Sequence, residues 1–384
     1  MKFYQGILFL FILSLCFFVV GCQSTEENTL EDAHKTVTLP SGNQSFENIQ
    51  SQIKVSPLFI KWHYQIKNEN LVKLYNVSNL VIAETTSGKL YAFESHSGVP
   101  QWVYQVGESV DYNIEEFQGE IYILALGKLH VLDANTGSLL KVKLLDFVPC
   151  SPMCVTERYI YVGAWDHFIY ALNRKNLMRE WRFRIDGHTH GKPSSLDGVL
   201  FFVGTDSHIY AINSESGYSN ENWGKNSRFI TRGSNVSNII PQSNPARIFV
   251  GSRDYNFYSI NRITGMLDWK YESGGEIKTN ATFIDNKLYF SSYPIGKPVH
   301  FHALNSQTGE AEWTLEHGAK LFFVGKNHIW VVSDSQELLG MRAGLESPEH
   351  FSFNAFTIFA SDTNVKNLGF LGNQNGYIVA VEEK

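Results

Sequence analysis

The chain has 384 residues, 43% hydrophobic, 18% charged and 14% aromatic, which excludes a disordered protein, a polytopic membrane protein and a disulfide-dense miniprotein. Thirty-two Lys and Arg against 38 Asp and Glu give a formal charge of −6, so the chain lacks the basic footprint of a nucleic-acid-binding protein. Twenty-seven Phe and 18 Tyr against 11 Pro point to strands, because aromatic side chains suit a pleated, half-buried surface.

At the start, Lys2 supplies a positive charge, and Ile7 to Val20 is an apolar run broken only by Ser14. That run is shorter than the ~20 residues of a bilayer span and reads as the core of a signal peptide. It ends in Val19-Val20-Gly21-Cys22, which resembles the lipobox of bacterial lipoproteins. The resemblance implies a signal peptide over residues 1–21, removed on processing, and lipidation (palmitate included) at Cys22. Gln23 is not the Asp of an inner-membrane retention signal, so the expected location is the outer membrane, facing the periplasm. Residues 22–55 read as the lipidated cysteine and a flexible tether rich in Gln, Ser, Thr, Asn and Glu. Its root-mean-square reach is about 30 Å.

Residues 56–384 are one unit written eight times. The phrases Leu90-Tyr91-Ala92-Phe93, Leu129-His130-Val131-Leu132, Ile169-Tyr170-Ala171-Leu172 and Ile209-Tyr210-Ala211-Ile212 recur at steps of 39, 40 and 40 residues. Phe257-Tyr258-Ser259-Ile260, Phe301-His302-Ala303-Leu304, Leu338-Leu339-Gly340-Met341 and Ile378-Val379-Ala380-Val381 complete the series. Two residues after the small one comes an acid or amide (Glu94, Asp133, Asn173, Asn213, Asn261, Asn305), suited to capping a turn through its own backbone. Six after it comes Gly98, Gly137, Gly217, Gly265 or Gly309, suited to positive φ. Ten after it comes Trp102, Trp181, Trp269 or Trp313, with Trp223 displaced by two. The small residue is expected to leave room for an indole from a neighbouring unit. Copy two carries Lys141 at the Trp place and copy seven Glu346 at the Gly place, so both are degenerate.

Short apolar runs such as Val199 to Val203 read as strands buried on both faces, and the Trp opens an alternating strand such as Trp181 to Ile185. Four strands per ~40-residue unit predict an all-β, eight-bladed β-propeller of four-stranded blades. The last copy lacks its Trp strand, whereas Ile60 to Ile66 is an orphan Trp strand carrying Trp62; the N-terminal strand is therefore expected to close the last blade.

The Ala-x-Asx-x-x-x-Gly-x-x-x-Trp phrase, best matched by Ala303 to Trp313, resembles the tryptophan-docking motif of the PQQ-like (quinoprotein-type) propellers. With the lipobox-like segment and eight copies, the chain resembles the BamB family of outer-membrane assembly lipoproteins. That resemblance implies a non-enzymatic, monomeric scaffold, without cofactor, whose partners are proteins of the outer-membrane β-barrel assembly machinery. It also makes Trp62, Trp102, Trp181, Trp223, Trp269 and Trp313 structural docking residues. The alternative is a repeat lipoprotein that binds a quinone, another small ligand or a different partner, including a quinoprotein enzyme. Against the enzyme, no two cysteines are adjacent and no calcium-binding constellation is visible.

Other residues carry weaker signals. Asp166, Asp206 and Asp254 fall at similar places in successive units and read as turn residues rather than ligands. His188 and His190, and likewise His300 and His302, are spaced to face one way on a strand, but no further ligands accompany them and no metal site is expected. Cys150 and Cys154 form a disulfide only if Pro149 and Pro152 fold the segment into a turn, since an extended chain parts their Cα atoms by about 13 Å; two buried thiols are the alternative. The ~40-residue rhythm is broken by Tyr218 to Pro245, with Lys225, Arg228 and Arg232 as candidate partner-binding cations, and by Tyr293 to Pro298.

Overall fold

The computed structural model describes residues 56–384 apart from 108, 225, 343–347, 352–355 and 362–366. The signal peptide, Cys22 and the tether lie outside the described residues.

The expected repeat is present as eight four-stranded antiparallel sheets, with no helix among the described residues. Blades 1 to 7 span 71–105, 115–144, 154–184, 194–230, 240–272, 282–316 and 318–351. Blade 8 takes three strands from 358–383 and its outermost strand, Leu58–Gln65, from the other end of the ring. That strand runs antiparallel to Tyr377–Glu383 from Leu58 opposite Glu383 to Gln65 opposite Tyr377, with a bulge between Ile60 and Trp62. The Lys384 amide donates to the Pro57 carbonyl at 2.8 Å, and Lys61 pairs with Glu382.

Among the described residues there is no central core. Apolar side chains gather into clusters that each join two neighbouring blades. In one, Ile82, Ala92 and Trp102 of blade 1 meet Ile121, Ile123 and Leu132 of blade 2. In another, Trp62, Phe370 and Ile378 of blade 8 meet Val81, Ala83 and Phe93 of blade 1, so closure is apolar as well as hydrogen-bonded. Second and third strands, such as Leu80–Thr85 and Val199–Val203, are covered on both faces, which is why their sequences run apolar without alternation.

Between the third and outermost strands, the amide or acid caps the turn as its chemistry requires: Asn213 Oδ1 accepts from the Glu215 and Ser216 amides at 3.0 and 2.8 Å. The glycine that follows has positive φ, and the preceding blade's indole lies on it. A Cβ on Gly98 would stand 2.5 Å from the Trp62 ring, on Gly137 2.6 Å from Trp102, on Gly217 2.6 Å from Trp181, on Gly265 2.9 Å from Trp223 and on Gly309 2.6 Å from Trp269. Three of these indoles also donate to a carbonyl of the same turn, Trp62 to Ser95 and Trp102 to Ala134 at 2.8 Å, and Trp269 to Ser306 at 3.3 Å. Trp313 packs within its own blade against Tyr289 and Phe301, and the glycine place ahead of it, at 346, is outside the described residues.

This corrects the role expected of the small residue. Ala92, Ala171, Ser259 and Ala303 stand directly opposite Trp102, Trp181, Trp269 and Trp313 of their own blades, so smallness makes room for the blade's own indole. The neighbour's indole needs the glycine instead. Copy two confirms the coupling by omission. Where Lys141 replaces Trp, the residue opposite is the larger Val131, and the next blade carries Leu177, not Gly, at φ 59°.

Gly309→Ala should therefore lose about 2–4 kcal/mol, combining left-handed backbone strain with a clash against Trp269. Gly119→Ala, at similar φ but with nothing within 4 Å of its Cβ, should lose only about 1–2 kcal/mol. Thermal melts of the two variants check this; equal losses would show that the indole contact contributes nothing.

Candidate functional site: one loop face and the axial cavity

Antiparallel succession puts two kinds of loop at the same end of every blade: those joining second to third strands, and those leading from an outermost strand to the next blade. They are stitched together by backbone bonds, Trp165 N to Val148 O at 3.0 Å, Thr205 N to His188 O at 2.9 Å, Arg253 N to Ser234 O at 3.1 Å and Tyr293 N to Glu276 O at 2.9 Å. Apolar side chains stand in solvent on this face: Leu126, Val148, Trp165 (52% exposed), Tyr255 and Ile295 (85% exposed). Ile295 is carried by the Tyr293 to Pro298 extension, which places that break in the rhythm here.

Trp165 is held in a ring of imidazoles. His188 and His190 lie 5.0 and 5.2 Å from it between centroids, and His167 stacks on His188 at 4.4 Å. His167 Nδ1 is bonded to Gly187 O at 3.0 Å and His190 Nδ1 to Cys150 O at 3.1 Å, which fixes both rings. Burial, then the proximity of His167 and His190, holds the His188 pKa below the usual imidazole value, so His188 is neutral at pH 7. Among the described residues no three His, Cys, Asp or Glu side chains come together as a metal site. Sequence spacing showed His188 and His190 but missed Trp165 and His167, which reach them from another loop.

Asp166, Asp206 and Asp254 lie in the second-to-third-strand loops of blades 3, 4 and 5. Each accepts the hydroxyl of the tyrosine four residues on, Tyr170, Tyr210 and Tyr258. Asp254 Oδ2 also accepts the Arg232 amide at 2.8 Å, tying the loop before blade 5 to the loop within it. Burial alone would raise the Asp254 pKa, but these bonds bring it below the usual carboxylate value.

The segment from Tyr218 to Pro245 is not one basic loop. Arg228 sits in the outermost strand of blade 4, its guanidinium 5.2 Å from the Tyr210 ring centroid and 3.6 Å from Asp186. Arg232 lies beyond that strand on the loop face, with its side chain exposed, and Lys225 is outside the described residues. Strand Arg228–Ile230 thus divides what the sequence presented as a single cationic connection. Cys150 and Cys154 are both free and buried, so the bridged alternative is not formed. The segment runs on into the innermost strand of blade 3 and sends the thiols to different neighbours: Cys150 Sγ donates to Thr189 O at 3.1 Å, while Cys154 packs between blades 3 and 4. Burial pushes their pKa values up to about 12 and about 11, which makes both unreactive.

Around the axis, innermost strands enclose a cavity of ≈ 470 Å³ lined on several sides by charge: Lys73, Glu115, Glu116, Lys192 and Lys320. Lys192 Nζ binds Glu115 at 2.7 Å, and Glu116 Oε1 accepts the Gly119 amide at 2.8 Å. None of these was singled out from the sequence. The available signal was a lysine interrupting an apolar innermost strand, as in Leu71-Val72-Lys73-Leu74 and Ala319-Lys320-Leu321-Phe322.

No protein-family model matches the chain, and no curated protein sequence matches it. Solved structures do. The crystal structure of BamB from Moraxella catarrhalis superposes with a TM-score of 0.63 at 17% identity, covering 85% of this chain and 98% of that one. The computationally designed Ika8 protein gives a TM-score of 0.62 at 14% identity, covering 84% and 98%. The chain shares the fold of these two structures. At these identities the likeness is one of fold, and the designed protein shows that the fold is reached by sequences without an evolved function.

His302, of the second histidine pair, is buried at 2% exposure. It is bonded to Ser292 Oγ at 2.8 Å and Tyr271 OH at 3.3 Å and stacked on Phe290. Burial first, then the nearby His300, lowers its pKa from 6.5 to about 4. The unfolded chain takes up this proton at higher pH than the folded one, so the contribution is complete above pH 6.5 and is lost as pH falls towards 4. About 3 kcal/mol of acid destabilisation should arise at this residue. His302→Gln should flatten the melting temperature against pH in that window; an unchanged profile would rule the residue out as its source.

Proposed function

We propose that this protein is a non-enzymatic, lipid-anchored interaction scaffold of the BamB type, held at the outer membrane through Cys22 and facing the periplasm. Its partner is a protein of the outer-membrane β-barrel assembly machinery. The lipobox-like Val19-Val20-Gly21-Cys22 supports the anchor, and the BamB-like propeller supports a protein-binding role at the level of fold.

The observation that carries the reading is Trp165. A large aromatic side chain half in solvent, braced by His188 and His190 on a loop tied to its neighbour, is the kind of rigid anchor that dominates protein interfaces. Val148 beside it, Leu126 and Ile295 at the same end, and the exposed Arg232 supply an apolar surface with a cationic element. The opposite end of the ring is occupied by the capped turns that receive the indoles.

Tagged protein recovered in mild detergent from the membranes of its own bacterium should bring down a β-barrel assembly subunit, identified by mass spectrometry. Trp165→Ala should weaken that association by about thirtyfold or more while leaving the melting temperature close to that of the parent. Recovery of the wild-type protein without a barrel-assembly subunit would refute the assembly role. Unaltered recovery by the variant would move the interface off this face.

A further inference from the structure

The axial cavity gathers lysines that the protein pairs unequally. Of its five charged side chains, Lys192 and Glu115 satisfy one another at 2.7 Å, and Glu116 accepts a backbone amide. Lys73 and Lys320 remain. Among the described residues no carboxylate lies within ion-pair distance of either. Lys73 Nζ stands 4.5 Å from the Tyr75 ring centroid, and Lys320 Nζ donates one bond, to the Phe359 carbonyl at 3.3 Å. The buried Glu84 attracts Lys73 through space but makes no ion pair with it, its oxygens being bonded to Tyr75 OH at 2.6 Å and the Val110 amide at 2.8 Å.

Each ammonium carries three donors, so most of the donors on both lysines point at no protein acceptor. The two come from blades on either side of the closure, Lys73 from the innermost strand of blade 1 and Lys320 from that of blade 7. Both side chains are exposed to the cavity; the protein around them disfavours the charged form of each, opposed at Lys73 by the Glu84 carboxylate and reinforced at Lys320 by the Lys73 charge. Two like charges facing one cavity repel weakly through solvent, and an anion that enters between them is attracted by both. The volume falls within the ~300–1,000 Å³ range of small-molecule sites.

We propose that the axial cavity is a binding site for a small dianion, a short dicarboxylate or a phosphate, held between the Lys73 and Lys320 ammonium groups. The site is independent of any partner on the loop face. One acid group meets each lysine, or one phosphate meets both, and the Lys192–Glu115 pair forms part of the wall.

The test is calorimetric titration of the folded protein at low ionic strength, with succinate and inorganic phosphate as separate probes. Saturable binding of at least one probe is expected, weakened at least about tenfold in Lys73→Gln/Lys320→Gln and unchanged in Lys270→Gln, on an outer strand. Binding of succinate alone assigns a two-ended ligand, and of phosphate alone a tetrahedral one. Absence of saturable binding of both probes, or equal binding by the double variant, would overturn the proposal.

Discussion

An indole can lie flat against a peptide only where no Cβ intervenes, and the ring of blades depends on that constraint. Each glycine that receives a tryptophan also sits at positive φ, so one residue type meets two demands, the turn and the close approach. The ring is thereby built from nearest-neighbour interfaces, each with its own apolar cluster, rather than around one core. The centre can stay open and polar because none of the stability is asked of it.

The same constraint explains the irregular copies. Blade 2 lacks a Trp, and its loss is matched at two further positions, Val131 opposite and Leu177 in the next blade. Both follow from one missing ring. Leu177 keeps the left-handed backbone that glycine adopts elsewhere and fills the vacated space with its own side chain, at 3% exposure. A degenerate repeat is here a repacked interface.

The architecture was legible because it is periodic: the spacing of small residue, amide, glycine and tryptophan located the blades, and the orphan Trp62 strand located the seam. What each residue does across that period was less legible. Ala92 was expected to face a neighbour's indole and faces its own, because linear spacing does not tell strand partners from blade partners. The sites were harder still. Trp165, His167 and His188 come from two connections that meet only after folding, and Lys73, Lys192 and Lys320 are far apart in the chain and meet at the axis. Arg228 looked available in a loop because only three residues of strand, paired to Tyr210, take it out of one.

The seam has a consequence for how the molecule comes into being. Leu58–Gln65 is the first of the ring's strands to be synthesised, and it pairs with Tyr377–Glu383, the last. Blades 1 to 7 can each form from contiguous chain as they emerge, but blade 8 waits for both extremes, a contact of the longest sequence separation the fold contains. Until then Leu58 and Trp62 have no place to go, and blades 1 and 7 each present an apolar flank to water. A chaperone that recognises such flanks would see every nascent copy, and a chain shortened by a few residues at its C-terminal end would remain in that state, with its N-terminal strand as unpaired as the residues that were lost.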